Sequence, residues 1–262
     1  MKRFWMRALL CFVLSAALLT GCALSPSSQP AESPTDPLTG QELVWPGQRP
    51  VAITIDNAAA STTQWGIGSA SVVLEAAARA DTAPSLCLVY PSVSAMPTVG
   101  PVTLGQDLFW RLLSGQQVLP IQRGCDLYTR NFLDYWNLRA VDALETGRNA
   151  FTTGNTDWAS PLWCTNGQSV AKVLGSLSLS SALSEDPAES ADSAQEGDTP
   201  AVPTVPALLP QQTDGHLPDA DVADAVQAAV QFPSGSTTRF AYDTDTGTYG
   251  MLHNDGSPQL DA

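Results

Sequence analysis

The residues best placed to do chemistry are Asp56, Asn57 and Glu75. Asp56 and Asn57 directly follow Val51-Ala52-Ile53-Thr54-Ile55, a run that is apolar or β-branched at almost every position. Such a run reads as a strand buried on both faces, and α/β proteins gather their binding groups beyond the carboxyl ends of such strands. Glu75 supplies a second carboxylate. Two carboxylates facing one cleft can cleave a glycosidic bond, one as acid and the other as base or nucleophile, and their separation decides which. The same residues have a plainer use, with Asp56 capping the loop after its strand and Glu75 solvated or salt-bridged.

Other chemistries find less support. There is no Gly-x-Ser-x-Gly stretch, and His216 and His253 are the only histidines and lack partner patterns, so a Ser-His-Asp arrangement is not expected. No phosphate-cradling glycine loop occurs. Asp243-Thr244-Asp245-Thr246-Gly247 loosely resembles a calcium loop. Asn254 stands where the closing glutamate belongs, and a hairpin turn explains the stretch better. Cys87, Cys125 and Cys164 form no Cys-x-x-Cys and no Cys/His cluster, so no metal and no cofactor is implied. One disulfide with a spare thiol fits an exported protein, and three buried apolar cysteines fit as well.

The elements that would position these residues alternate between strand and helix. Ile67–Ala78 reads as a turn followed by a helix or a strand–helix pair, and Leu86–Tyr90 as a second buried strand closed by Pro91. Asp107–Leu113 has helical spacing, Val118–Gln122 looks like another strand, and Leu127–Leu138 is an aromatic-rich helix. This order predicts an α/β main domain, a mixed sheet with flanking helices, over residues 49–175. Trp65, Trp110, Trp136, Trp158 and Trp163 are available for its core. Residues 176–215 are rich in Ser, Ala, Pro and acids and contain no aromatic residue, the composition of a disordered linker. Over 216–262 a small, mostly-β domain is expected. Asp219–Val230 is open to a helix or to its first strand, and Arg239–Tyr242 with Thr248–Leu252 forms a hairpin.

The address is written at the amino terminus. Lys2, Arg3 and Arg7 precede an apolar run from Ala8 to Leu19, the charged and hydrophobic parts of an export signal over residues 1–21. The run is about 12 residues, short of the roughly 20 that span a bilayer. Leu19-Thr20-Gly21-Cys22 then has the form of a lipoprotein-processing site. Cys22 is expected to become the diacylglycerol-bearing first residue of the mature chain, with 22–48 a Ser/Pro-rich tether. The expected location is the extracytoplasmic side of the cell membrane, with that membrane and a cell-wall component or envelope protein as partners.

Charge points away from nucleic acid. The chain of 262 residues carries 12 basic and 26 acidic side chains, and loss of the signal removes three of the basic ones. The acidity is local. From Arg49 to Lys172 the balance is eight basic to nine acidic, whereas between Lys172 and Arg239 ten acids stand without one Lys or Arg. A near-neutral body behind an acidic connector has no basic patch for a phosphate backbone.

Several blocks, in order, resemble the YerB-like family of bacterial lipoproteins, whose domain has no known function. Arg49–Asn57 resembles that family's opening strand, and Asp36-Pro37-Leu38-Thr39-Gly40 its entry turn. Gly66–Ala76 is similar to its next block, Val99-Gly100-Pro101-Val102 to its Ile-Gly-Pro-Val-Arg, and Ser160–Thr165, more loosely, to a late segment. Phe240–Asp243, Gly247–Tyr249 and Gly256–Gln259 are similar to strands opening its second domain. The departures imply a divergent member. Thr103 stands where the family has arginine, Ala77–Asp81 replaces a polar stretch, Gln122-Arg123-Gly124-Cys125 occupies a His-Ala-Gly-Gly-type loop, and Met251 replaces another arginine. The resemblance also implies that the second domain is incomplete at Ala262. The function expected is a membrane-anchored binding or interaction module at the envelope. Its rivals are a cell-wall glycan or peptide hydrolase using Asp56 and Glu75, and a decayed paralogue without a ligand.

Overall fold

A computed structural model describes residues 35–57, 63–155, 161–184, 205–208, 226–246, 248–252, 256 and 258. The export signal, Cys22, Trp158, both histidines and most of the acidic connector lie outside the described residues. Residues 35–262 form one compact unit.

Its centre is β1 (Val51–Ile55), buried at every position. β3 (Ser85–Tyr90) pairs with it antiparallel, Val51 opposite Tyr90 and Ile55 opposite Leu86. On its other side β4 (Leu119–Gln122) runs parallel. The edges are β2 (Val72–Ala76), antiparallel to β3, and β5 (Val141–Asp142), parallel to β4, giving the order β2-β3-β1-β4-β5. The main domain is therefore the expected mixed sheet.

Alternation along β1 sorts its side chains into two cores. Val51, Ile53 and Ile55 face one side, packed with Leu86, Leu88 and Phe151 against the Val170, Val173 and Leu174 stripe of a helix at Gly167–Leu174. Ala52 faces the other, where Cys87 and Val89 meet Phe109, Trp110 and Leu113 of α1 (Asp107–Leu112) and its cap, and Phe132 and Leu133 of α2 (Leu127–Tyr135). Trp110 and Phe109 are each 1% exposed. At about 25 cal/mol per Å² of apolar surface, side chains of this size each contribute a few kcal/mol. Trp136, counted among the core tryptophans from sequence, is instead 60% exposed. It caps the carboxyl end of α2 and turns edge-on to Tyr135.

Of the two readings of Ile67–Ala78, the turn and the strand of the strand–helix pair hold, and the α-helix of either does not form. A single 3-10 turn at Ile67–Ser69 leads into β2, because β-branched Val72 and Val73 extend along β3 more readily than they coil. The body also overruns its expected limits at 49 and 175. Leu38 is buried, Arg49 N–H donates to the Ser181 carbonyl and Leu183 N–H to that of Gly47, while Leu208 N–H donates to that of Pro37. Scattered apolar side chains (Leu38, Trp45, Leu177, Leu179, Val205) pin parts of the polar flanks to the sheet. That contribution is lost in a reading by average composition.

β6 (Thr152–Thr153) and β7 (Trp163–Cys164) form a small antiparallel pair. The helix at Gly167–Leu174 becomes α4, after α3 (Ala143–Thr146). The C-terminal part is a separate antiparallel sheet in the order β10-β9-β8, from β8 (Gln227–Gln231), β9 (Thr237–Asp243) and β10 (Thr248–Leu252). Gln227–Gln231 is thus strand, and the hairpin pairs Tyr249 with Tyr242 across 5.1 Å. Met251 packs against the main core.

Cys87, Cys125 and Cys164 are all free thiols. Cys87 and Cys164 are buried as apolar residues, whereas Cys125 is only partly covered. Among the described residues no helix is long and apolar enough to cross a membrane, and no group of three or more His, Cys, Asp and Glu side chains is placed to hold a metal ion.

Candidate functional site

Because β1, β4 and β5 are parallel, their carboxyl ends share one edge of the sheet. Two polar clusters form along it.

The first contains the residues expected from sequence. Asn57 Nδ2 donates to Glu75 Oε1 across 3.3 Å, and the same oxygen accepts a 2.6 Å bond from the Thr238 hydroxyl of β9. Asp56 N–H donates to the Pro101 carbonyl, and Gln64 Nε2 donates to the Asp56 carbonyl at 2.7 Å. The structure thus brings Asn57 and Glu75 together and adds Thr238, 5% exposed, from the C-terminal sheet. Burial pushes the Glu75 carboxyl above the ordinary glutamate range, and the Thr238 hydrogen bond partly offsets this. This carboxylate fastens one sheet to the other.

The second cluster lies beyond β4 and β5 around a polar cavity of about 160 Å³. Its floor is built on Asp142, 4% exposed, the last residue of β5 and the N-cap of α3. Asp142 Oδ1 accepts from Gly124 N–H and Leu144 N–H, both at 2.8 Å, and Oδ2 accepts from Gln122 Nε2 at 3.0 Å. Two glycines make this lattice possible. Gly124 has φ +69, which disfavours a side chain. At Gly105 a Cβ would stand 1.8 Å from Gln122 Oε1, so only glycine lets Gln122 lie there.

Above this floor the cavity is lined by Arg130 and Asp134 of α2, Arg139 of the following turn and Glu145 of α3, with Leu133 and Leu138 as apolar wall. The side chains of Arg130, Asp134, Arg139 and Glu145 enter no ion pair and no hydrogen bond among the described residues. Cys125 opens onto the same space. Burial raises its thiol, while the charge of Arg130 pulls the other way. The arrangement offers two cations, three carboxylates (Asp142 among them, already hydrogen-bonded) and one thiol around a small wet space. That equips it to hold a charged small molecule and gives it no activated nucleophile.

Sequence reasoning placed attention on β1 and left this cluster unassigned. One signal was present: Asp142-Ala143-Leu144-Glu145 has the Asp-x-x-Glu spacing of a helix start after an apolar residue.

The sequence model of the family described as "Protein of unknown function (DUF3048) N-terminal domain" matches residues 38–179, more than half of the chain. The chain belongs to this family. Among solved structures it is similar to the crystal structure of YerB protein from Bacillus subtilis, with a TM-score of 0.66 and 18% identity. The match covers 87% of this chain and 69% of that one. That likeness is one of fold, and it spans both sheets in agreement with the YerB-like resemblance of the sequence blocks. No curated protein matches.

Proposed function

We propose that the protein is a lipid-anchored, extracytoplasmic binding module whose ligand site is the cavity beyond β4 and β5. One observation carries the binding reading: four charged side chains without partners among the described residues line a space over Asp142, whose two carboxylate oxygens are held by three hydrogen bonds. Such a floor holds its shape before a ligand arrives, which lowers the ordering cost of binding. In the rival use of Asp56 and Glu75 as a hydrolytic acid pair, Glu75 would act through its second oxygen, since Oε1 already accepts from Thr238 and Asn57. The cavity beyond β4 and β5 is lined by neither residue, which favours the binding reading there. The anchoring part of the proposal rests on the export signal and Cys22.

Two experiments test it. Cells expressing the full chain and fed a labelled fatty acid should label it, and Cys22→Ser should abolish the label and release the protein from the membrane fraction. Full-length protein in mild detergent should co-sediment with purified cell-wall sacculi, and Arg130→Gln with Arg139→Gln should abolish this. Soluble wall fragments that disappear in Asp56→Ala would make the protein a hydrolase and overturn the binding reading.

A further inference from the structure

We propose that the cavity beyond β4 and β5 binds a small zwitterion, an amino acid or a short peptide presenting both a free amino and a free carboxyl group. The inference rests on the binding-module reading above and names its ligand class.

The charges that a ligand can use are those the protein has not already spent. Asp142 lines the cavity, but both its oxygens are taken, Oδ1 by two backbone N–H groups and Oδ2 by Gln122. What remains is Arg130 and Arg139 on one account and Asp134 and Glu145 on the other. With the Asp142 carboxylate, whose hydrogen-bond donors are all neutral, the lining holds two cations and three carboxylates, so neither sign of simple ion meets a uniform field. A phosphate or sulfate would meet the two arginines but also Asp134 and Glu145, with the Asp142 carboxylate beneath them. A divalent cation would meet the arginines and finds no third acidic ligand placed for it. A neutral sugar would make no use of the four exposed charges. A molecule carrying both a carboxylate and an ammonium can use charges of both signs in this lining. Guanidinium forks suit a carboxylate, and an ammonium is a compact donor for carboxylates.

Size agrees. A space of about 160 Å³ holds several waters. That is room for a single small amino acid or a dipeptide of small residues. Leu133 and Leu138 offer an apolar wall for a methyl-sized side chain. Free amino acids and cell-wall peptides share this chemistry, and the choice of probe separates them.

The test is calorimetric titration of the full-length chain in mild detergent. The probes are alanine, alanyl-alanine in its L,L and D,D forms, N-acetyl-alanyl-alanine lacking the ammonium, and alanyl-alanine amide lacking the carboxylate. The free dipeptide, alanine or both should bind, and each blocked form should bind at least tenfold more weakly. Arg139→Gln should weaken the free form and leave the amide unchanged, and Glu145→Gln should weaken the free form and leave the acetylated one unchanged. Binding should also slow alkylation of Cys125, which opens onto the cavity, and that locates the ligand. Tight binding of alanine alone assigns free amino acids, and binding confined to the dipeptides assigns peptides. Equal binding of free and blocked forms, or no binding of any probe by a chain that still sediments with sacculi through Arg130 and Arg139, overturns the zwitterion and leaves the binding module standing. Absence of both kinds of binding overturns both.

Discussion

Truncating Asp142 tests whether the floor of the cavity is the rigid part of the molecule. The carboxylate is 4% exposed and accepts three hydrogen bonds of 2.8–3.0 Å, two from backbone N–H groups and one from Gln122. Bonds to a charged acceptor are worth about 1.5–3 kcal/mol each in net stability. A simple sum overshoots, because the three share one acceptor and their deletions are not additive. The cap on α3 alone accounts for about 1 kcal/mol, and each buried donor left bare adds roughly 1–3 kcal/mol unless water reaches it. Water from the adjoining cavity can reach part of this lattice, which places Asp142→Ala at about 3–4 kcal/mol. Asp142→Asn keeps one oxygen for both backbone donors and loses only the contact to Gln122, where two amide NH₂ groups would face each other. Its cost should be about 1–2 kcal/mol. Urea unfolding followed by tryptophan fluorescence reads both variants. With slopes of roughly 1–3 kcal/mol per molar urea, Asp142→Ala should lower the midpoint by about 1–4 M with the slope unchanged. An alanine variant within about 1 kcal/mol of the wild type, or an asparagine variant as damaged as the alanine one, would refute the reasoning.

Gly105→Ala should destabilise by about 1–3 kcal/mol through overpacking, since its Cβ would land on Gln122 Oε1, and a thermal melt reads it. Burial holds the Glu75 carboxyl above the ordinary glutamate range. The folded chain therefore keeps that proton more tightly than the unfolded chain, and its contribution is present below the ordinary value and lost as pH rises through the raised one. Glu75→Gln, uncharged throughout, should flatten this part of the pH–stability curve while keeping an oxygen for Thr238, and a curve as steep as the wild type's would exclude the assignment. A maleimide should modify Cys125 in the native protein, faster at alkaline pH because its thiol is raised, while buried Cys87 and Cys164 react only after unfolding. Mass spectrometry of the labelled peptides decides, and early labelling of Cys87 would contradict the sheet assignment.

The strands were legible because burial writes itself into residue type. Val51–Ile55 and Leu86–Tyr90 are apolar at nearly every position, and both prove to be central. β2 was less clear, because an edge strand that is only partly buried carries a weaker pattern. Thr35–Gln48 and Ser176–Ser184 fall within the expected tether and linker yet make contacts to the body, and these were hidden for a related reason. A few apolar side chains among many polar ones hold a segment by contacts that depend on the finished body. Glu75 was recognised as special, but its partner Thr238 is 163 residues away, and nothing local announces such a bond.

The cavity cluster was hidden by a different mechanism. Each of its charged residues lies on the outer side of a short helix or turn, where a sequence shows only a solvated face. Their convergence follows from β4 and β5 being parallel neighbours, since that register sends α2 and α3 out from the same edge. Gln122-Arg123-Gly124-Cys125, one of the departures that imply a divergent member, lies at this position. Gln122, Gly124 N–H and Leu144 N–H occupy the oxygens of Asp142, which leaves the four outer charged side chains of the lining for a ligand. A change of residue type at this loop is therefore as consistent with a site altered in its preference as with a site abolished. Substitution at Arg139 and Glu145, rather than at Asp56, is where the two outcomes part.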